Sequence, residues 1–441
     1  MEAARCSTPI EGIPFISLPM STRSKLSTNI AWLYGLQGLN YVIPAALLPY
    51  LVRTLGVENY GLIAFAQSIS QYFILATDYG FNFSATRSIS KNREDNEEVS
   101  RIFWTVITIK LVLLVVCGVA LEAALLSVPR FHQNSGVYLA AYLAVVGNAI
   151  FPTWLFQGIE QMRSISIFSG LGRLIAAVLV VLLVKGPQDT VLATLLLSLG
   201  FIVAGLLGVT VALRHHVKHF HMPNRRELLS ALAEGRHLFM TTAAVSLYSN
   251  TNTFLVGKLA GVEQAGYFAL ADKLIRAISG IIAPVIQATY PHMVGLMAKS
   301  KEQALIFIRK VVFAGIVGGV ICGMVLILTA RPLAVLAFSR QSDVTVVHLL
   351  QILALFPLLS ALNYVFGVLL LIPFGFDKQQ SRMLLAIGVG NVLLGLLVIP
   401  LYGALGGVIT MTVTETIQLL GSTLLIRNNN IRVFRAKILH N

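Results

Sequence analysis

Charge is what this sequence has least of. Only 12% of its 441 residues are Asp, Glu, Lys or Arg, about half the share of an ordinary soluble chain. Cysteine is nearly as scarce: Cys6, Cys117 and Cys322 are too few and too scattered for a disulfide framework or a metal cluster. The nine histidines show no metal-ligand spacing, and there is no HExxH, Gly-rich phosphate loop or nucleophile elbow. Nucleotide hydrolysis and metal-assisted catalysis therefore have no carrier, and no cofactor is expected. A cleavable leader is not expected either, because the first apolar run is too long and no small-residue cleavage site follows it. Met20 and the basic "STRSKLSTN" read as a short lead-in, with residues 1–19 as an upstream extension of little consequence.

Apolar residues, in contrast, make up 56% of the chain. They fall in runs of about 20 with few charges, the mark of transmembrane helices. The expected fold is an all-α integral membrane protein with twelve spans, at 28–51, 61–83, 103–127, 136–156, 165–184, 190–212, 237–257, 265–290, 307–330, 346–372, 381–400 and 404–426. The formal charge of +14 is concentrated in the termini and even-numbered connections. The odd-numbered connections hold only Arg53, Arg130, Lys185, Lys258, Arg331 and Arg340. By the positive-inside rule both termini are cytoplasmic. The basic balance is thus a topology signal with an attraction to anionic membrane lipids, and nucleic acid is not implied.

One stretch occurs twice. "GVENYGLIAFAQ" (56–67) returns as "GVEQAGYFALAD" (261–272), each time opening an even-numbered helix. Six helices separate the copies, so both face the same side, and the chain reads as two parallel six-helix bundles related by a pseudo-twofold. "QGIEQ" (157–161) and "FGFDK" (374–378) form a second echo. The expected division is a tail at 1–22, bundles at 23–222 and 223–430, and a tail at 431–441. The basic seam "RHHVKHFHMPNRRE" (214–227) between the bundles reads as a solvated or headgroup-facing loop. In the motif, Gly56 and Gly61 are expected to permit a tight reversal, and Ala64, Ala66, Ala269 and Ala271 close packing.

From Leu55 the chain reads "LGVENYGLIAFAQ" and then, after ten more residues, "DYGFNFSATR". This combination closely resembles the polysaccharide transporter family, and within it the Wzx-type O-antigen flippases. Those share a superfamily with multidrug and toxin extrusion proteins and lipid II flippases. The resemblance covers about residues 22–430 and is looser in the second half. It implies movement of an undecaprenyl-pyrophosphate-linked oligosaccharide from the cytoplasmic to the outer leaflet of a bacterial inner membrane by alternating access. A polysaccharide polymerase and a chain-length regulator stand as candidate partners, and a proton or sodium gradient as candidate energy source.

Charged groups deep in a span cost about 2.5–3.5 kcal/mol each on insertion scales, so they mark pathways or pairs. Asp272, Lys273 and Arg276 stand where the first copy has the neutral Gln67, Ser68 and Gln71. They fall within about a 100° arc and are expected to line one wall, unless Asp272 and Arg276 merely neutralise each other at i,i+4. Arg173 sits mid-span between glycines with no acid within a turn, which suits a ligand for an anion. Lys110, nearer the cytoplasmic end, is expected to snorkel. Asp78 and Arg87 flank "YGFNFSAT" and suit a gate or loop anchor as well as substrate contact. Glu415 suits either proton relay or pairing with a cation across the bundle. Asn29, Asn40, Asn250 and Asn252 suit sugar hydroxyls or, more simply, interhelical hydrogen bonds. The candidate binding set is thus Arg173, Lys273, Arg276, Asp272, Gln71, Asn40 and Asn250, with Asp78, Arg87 and Glu415 for gating or coupling.

Two rivals remain. A drug or cation exporter of the same superfamily would prefer an acidic cavity. A membrane polymerase would need a sizeable outer loop, whereas the longest here is about "RPLAVLAFSRQSDV" (331–344).

Overall fold

The computed structural model describes residues 42–280, 289–290, 293–297, 299–338, 344–429 and 431. Asn29, Asn40, the first part of helix 1, residues 281–288 of expected helix 8 and the tails (but for Ile431) lie outside them. Every described element is helical or a connection between helices. In the first half these are α1 (Val42–Leu55), α2 (Val57–Asp78), α3 (Phe81–Lys91), α4 (Asn96–Ser127), α5 (Pro129–His132), α6 (Ser135–Ile150), α7 (Thr153–Gly158), α8 (Met162–Leu183) and α9 (Thr190–His215). The second half comprises α10 (Arg225–Leu259), α11 (Val262–Ser279), α12 (Lys301–Phe338), α13 (Val344–Ile352), α14 (Phe356–Tyr364), α15 (Asp377–Tyr402) and α16 (Ala404–Asn428).

Among the described residues, eight helices are long and apolar enough to cross a membrane. They carry broad bands of exposed apolar side chains, such as Val115 and Val119 on α4 or Ile321 and Leu328 on α12. On a soluble protein such bands would drive association; here they are the lipid-facing sides. α2, α10 and α11 are not among the eight, because their polar and charged residues make them less apolar than a span of that length requires.

Several boundaries differ from the sequence expectation. Helix 3 starts at Asn96 instead of 103, helix 4 breaks after Ile150, and helix 9 spans Lys301–Phe338 instead of 307–330. Two further cases bear on the site. Helix 2 does not run to residue 83: it stops at Asp78, where Tyr79 and Gly80 both take left-handed backbone (φ 42 and 79). Hydropathy continues across this break, so composition alone misses it. Helix 7 begins at Arg225 instead of 237, held by a reciprocal cap between Asn224 and Glu227. Its 35 residues span about 52 Å, well beyond a hydrocarbon core of about 30 Å.

The core is shared at one end and divided at the other. One buried cluster gathers the helix ends at all the odd-numbered connections of both halves, from Leu51 and Ala66 to Ala269, Leu350 and Val408. At the opposite end the first half keeps its own cluster around Phe103, Trp154 and Phe156. The second half has a separate one around Ile308, Val365 and Leu369. α10 crosses this division, packing Leu228 and Leu232 of its first turns against the first half's cluster.

The repeated motif makes the joint. Gly56 does form the reversal between α1 and α2, at φ 82 and ψ 163, a region open only to glycine. Gly61 does something else. It lies inside α2, where an added Cβ would fall onto the carbonyl oxygen of Val262 in α11. Its counterpart Gly266 meets the carbonyl of Val57 in the same way, and the two glycines face each other. Ala64, Ala66, Ala269 and Ala271 are all buried around this crossing.

The seam between the halves is docked, not loose. Trp104 donates to the carbonyl of His219 at 3.1 Å, and the Lys218 backbone N–H donates to Ser100 Oγ at 3.2 Å. His221 and Arg101 both reach Glu227, at 2.9 and 3.4 Å. The hydrogen bond to His221, with that to the Asn224 backbone, holds the Glu227 carboxyl below its usual range. Burial, with His215 alongside, pushes His216 down.

The crossing gives a clear test. Gly61→Ala should lower the melting temperature of the purified protein in detergent, since overpacking costs about 1–3 kcal/mol. Gly318→Ala, where an added Cβ meets nothing within 4 Å, should leave it unchanged or raise it.

Candidate functional site

A cavity of about 240 Å³ opens between the halves. α1, α2, α6, α8 and α9 of the first half form most of its wall, and α11 of the second half closes it. Arg173 from α8 and Lys273 from α11 both line it, with Gln67, Ser70 and Gln71 from α2. Two cations from opposite halves thus share one cavity, whose remaining wall is mostly apolar. Lys273 is held in place by Tyr60, whose ring centroid lies 5.3 Å from its Nζ, a cation–π contact. Tyr60 lines the cavity and was not singled out from the sequence. A signal was present, because the copies differ at this position too: Tyr60 in the first stands opposite Ala265 in the second, as Ser68 does Lys273.

The expected single wall of Asp272, Lys273 and Arg276 is split. Arg276 Nε donates to both oxygens of Asp272 at 2.8 Å, so the i,i+4 pair forms. Arg276 turns toward a small cavity inside the second half, which it lines with Asn252, Asn391, Thr414 and Glu415. Residues 272 and 276 lie only about 40° apart around a helix, whereas 272 and 273 differ by about 100°. Lys273 therefore faces the first half while its neighbours face the second.

Around this small cavity the polar groups are bonded to one another. Asn363 donates to Glu415 Oε2 at 2.6 Å and to the Glu415 carbonyl at 3.0 Å. Thr414 donates to Asn391 at 2.9 Å, and Asn391 to Asn252 at 3.1 Å. Asn252 thus takes the interhelical role, while Asn250 donates to Ser246 of its own helix at 3.3 Å. A seven-residue π-helical turn, Val365–Leu371, follows two residues after Asn363, a distortion often found beside functional groups.

Asp78 and Arg87 lie in different surroundings. Arg87 is exposed on α3, whereas Asp78 accepts from Lys110 at 2.8 Å and from Asn148 at 3.1 Å. Lys110 does not snorkel: it is 1% exposed and also donates to the Asn148 carbonyl at 3.3 Å. Asp78 thus fastens the end of α2 to α4 and α6. Just beyond it, Tyr79 stacks on Phe239 of α10 at 4.9 Å. Among the described residues no group of three or more His, Cys, Asp or Glu could hold a metal.

A polysaccharide biosynthesis protein family matches residues 26–297, well over half the chain. The chain belongs to this family. A putative O-antigen transporter of Escherichia coli K12 is 31% identical over 414 residues, covering 94% of this chain and 99% of the relative. A second, from Shigella dysenteriae, is 27% identical over 90% of this chain and 98% of its own length. Within the polysaccharide transporter family, then, this protein is a multi-pass membrane transporter and not an enzyme, which sets the polymerase aside. Its fold is that of the wider superfamily. The lipid II flippase MurJ in an inward closed conformation matches with TM-score 0.66 at 12% identity, over 91% of this chain and 87% of its own. An inward-facing MATE multidrug transporter matches with TM-score 0.60 at 15% identity, over 88% and 99%.

The buried Asp78–Lys110 pair should reveal itself in a double-mutant cycle. Lys110→Met or Asp78→Asn alone should destabilise by about 3–5 kcal/mol, by stranding the partner charge. Combining them should recover much of that loss, read as the melting temperature in detergent.

Proposed function

We propose that the protein carries an undecaprenyl-diphosphate-linked oligosaccharide, an O-antigen unit or a similar surface glycan, across the bacterial inner membrane. The observation that carries this reading is the pairing of Arg173 and Lys273, one from each half, on a single cavity. Two cations suit a diphosphate, which places negative charge on both phosphoryl groups. A planar guanidinium and a point-like ammonium together can engage it from two sides. Gln67, Gln71 and Ser70 supply neutral donors and acceptors for the first sugar. The prenyl chain stays in lipid. A drug exporter is the weaker reading, since a cationic drug would face two cations, and the relatives in Escherichia coli and Shigella are named as O-antigen transporters.

In the proposed mechanism the halves rock about the Gly61–Gly266 crossing, exposing the cavity to one face and then the other. The charge asymmetry of the connections supports an orientation with the joined end outside and the divided end, with both termini, in the cytoplasm. The small cavity lined by Glu415 and Arg276 is the candidate site for coupling to a proton or sodium gradient, with Asp272 tied to it through its pair with Arg276. A polymerase and a chain-length regulator would act on the product once flipped.

Arg173→Gln and Lys273→Gln, alone and together, test this in cells lacking another copy. Each charge-assisted contact contributes about 1.5–3 kcal/mol, so surface polysaccharide should fall roughly tenfold or more at unchanged protein abundance. Arg173→Lys should retain part of the display, because the charge persists without the planar fork. Normal display in the double Gln variant would reject the diphosphate site.

A further inference from the structure

A second cleft, of about 480 Å³, lies at the divided end and shares no lining residue with the central cavity. α3 and the first turns of α4 form two walls, and the first turns of α10 form the third. It is therefore built from both halves. Arg101 of α4 bridges Glu98 of its own helix at 2.6 Å and Glu227 of α10 at 3.4 Å.

The lining is chemically even-handed. Lys91, Arg101 and Arg226 are balanced by Glu98, Glu227 and Glu234. Ser84, Ser88, Asn92 and Ser230 add hydroxyls and an amide between them. A site for an anion needs donors, and a site for a metal or amine needs acceptors; either would leave the other sign here facing its like. Arg101, Glu98 and Glu227 engage one another, so the wall offers Lys91, Arg226 and Glu234 beside its hydroxyls and amide. Donors and acceptors together suit a neutral group in which every hydroxyl donates and accepts. Carbohydrate is that group. The volume falls within the usual range for small-ligand sites, about 300–1,000 Å³. Ile102 and Ala231, backed by the buried Phe81, Ala85 and Val106, are the part-exposed apolar lining that can meet the C–H faces of sugar rings.

We infer that this cleft is a carbohydrate-binding site for the glycan head of the lipid-linked substrate, on the side from which the substrate enters. The inference rests on the transport function proposed above. It adds a second point of recognition, one that reads sugar where the central cavity reads diphosphate. Because the Arg101–Glu227 bridge spans the two halves, the shape of the cleft changes with their separation.

The test uses full-length protein in inside-out membrane vesicles, with Cys6, Cys117 and Cys322 replaced by Ser. A single cysteine is then introduced as Ser230→Cys in the cleft or Gln71→Cys in the central cavity. The probes are the lipid-free oligosaccharide released by mild acid from the host's own surface polysaccharide, and inorganic pyrophosphate. At a glycan concentration about twice its Kd, maleimide labelling of Ser230→Cys should slow roughly threefold by mass action. Pyrophosphate should not slow it, and adding Asn92→Ala with Glu234→Ala should abolish the protection by glycan. Protection by pyrophosphate and not by glycan would make this an anion site and overturn the inference, as would labelling indifferent to both. The two readings fail separately. Unprotected Ser230→Cys beside polysaccharide loss in the Arg173 and Lys273 variants rejects the cleft alone. Glycan protection beside normal display in those variants rejects the diphosphate site alone.

Discussion

The arrangement of the two halves depends on one place where helices touch backbone to backbone. At Gly61 and Gly266 no side chain separates α2 from α11, and each glycine lies against a carbonyl of the other helix. Such a contact fixes distance more tightly than any pair of larger residues, because there is nothing left to compress. It also leaves the angle comparatively free, since small residues present few interlocking ridges. The consequence shows in the core: one buried cluster at the end that holds the crossing, two clusters at the end that does not. The central cavity lies on the same pair of helices, between Gln67 and Gln71 of α2 and Lys273 of α11. A joint that holds position while tolerating rotation is what the proposed rocking requires beside the proposed binding site.

Much of this frame was legible in the sequence, because apolar runs of about 20 residues have few alternatives in a chain so poor in charge. What hydropathy does not register is the behaviour of polar backbone and polar helix. The break at Tyr79–Gly80 carries no proline and interrupts no apolar run. The first three turns of α10 are too polar to count as a span, although the Asn224–Glu227 cap is written in the sequence. The duplicated motif was equally visible, but two glycines five residues apart read alike on paper. Only one of them, Gly56, needs its unusual φ; the other needs its missing side chain.

The site was legible residue by residue and not as a constellation. Arg173, Lys273 and Gln71 were each picked out by cost or by repeat comparison, and they do share a cavity. The partners that decide their neighbours' fates lie far away in sequence. Lys110 is buried by Asp78, 32 positions earlier, and Glu415 is bonded by Asn363, 52 positions away. Helical spacing specifies which way a side chain leaves its own helix. It says nothing about which helix waits there, so Lys273 and Arg276, close on one helix, ended in different cavities.

The two copies differ where the chemistry differs. Replacing Gln67 and Gln71 by Asp272 and Arg276 puts a charge pair into the second half, where each charge has the other within 2.8 Å. Replacing Ser68 by Lys273 adds a cation that its own half does not compensate with that pair, and the ring of Tyr60 in the other half receives it. Both changes sit on α11, one to three residues apart, within about three turns of Gly266. α11 is therefore a rigid link between the two cavities, pinned near one end by the glycine crossing. A change in the charge balance around Asp272, Arg276 and Glu415 that shifts α11 must carry Lys273 with it. It would thereby alter the spacing between Lys273 and Arg173. Lys273 and Arg276 are three residues apart, so the second half's small cavity and the central cavity are joined by no more than one turn of helix.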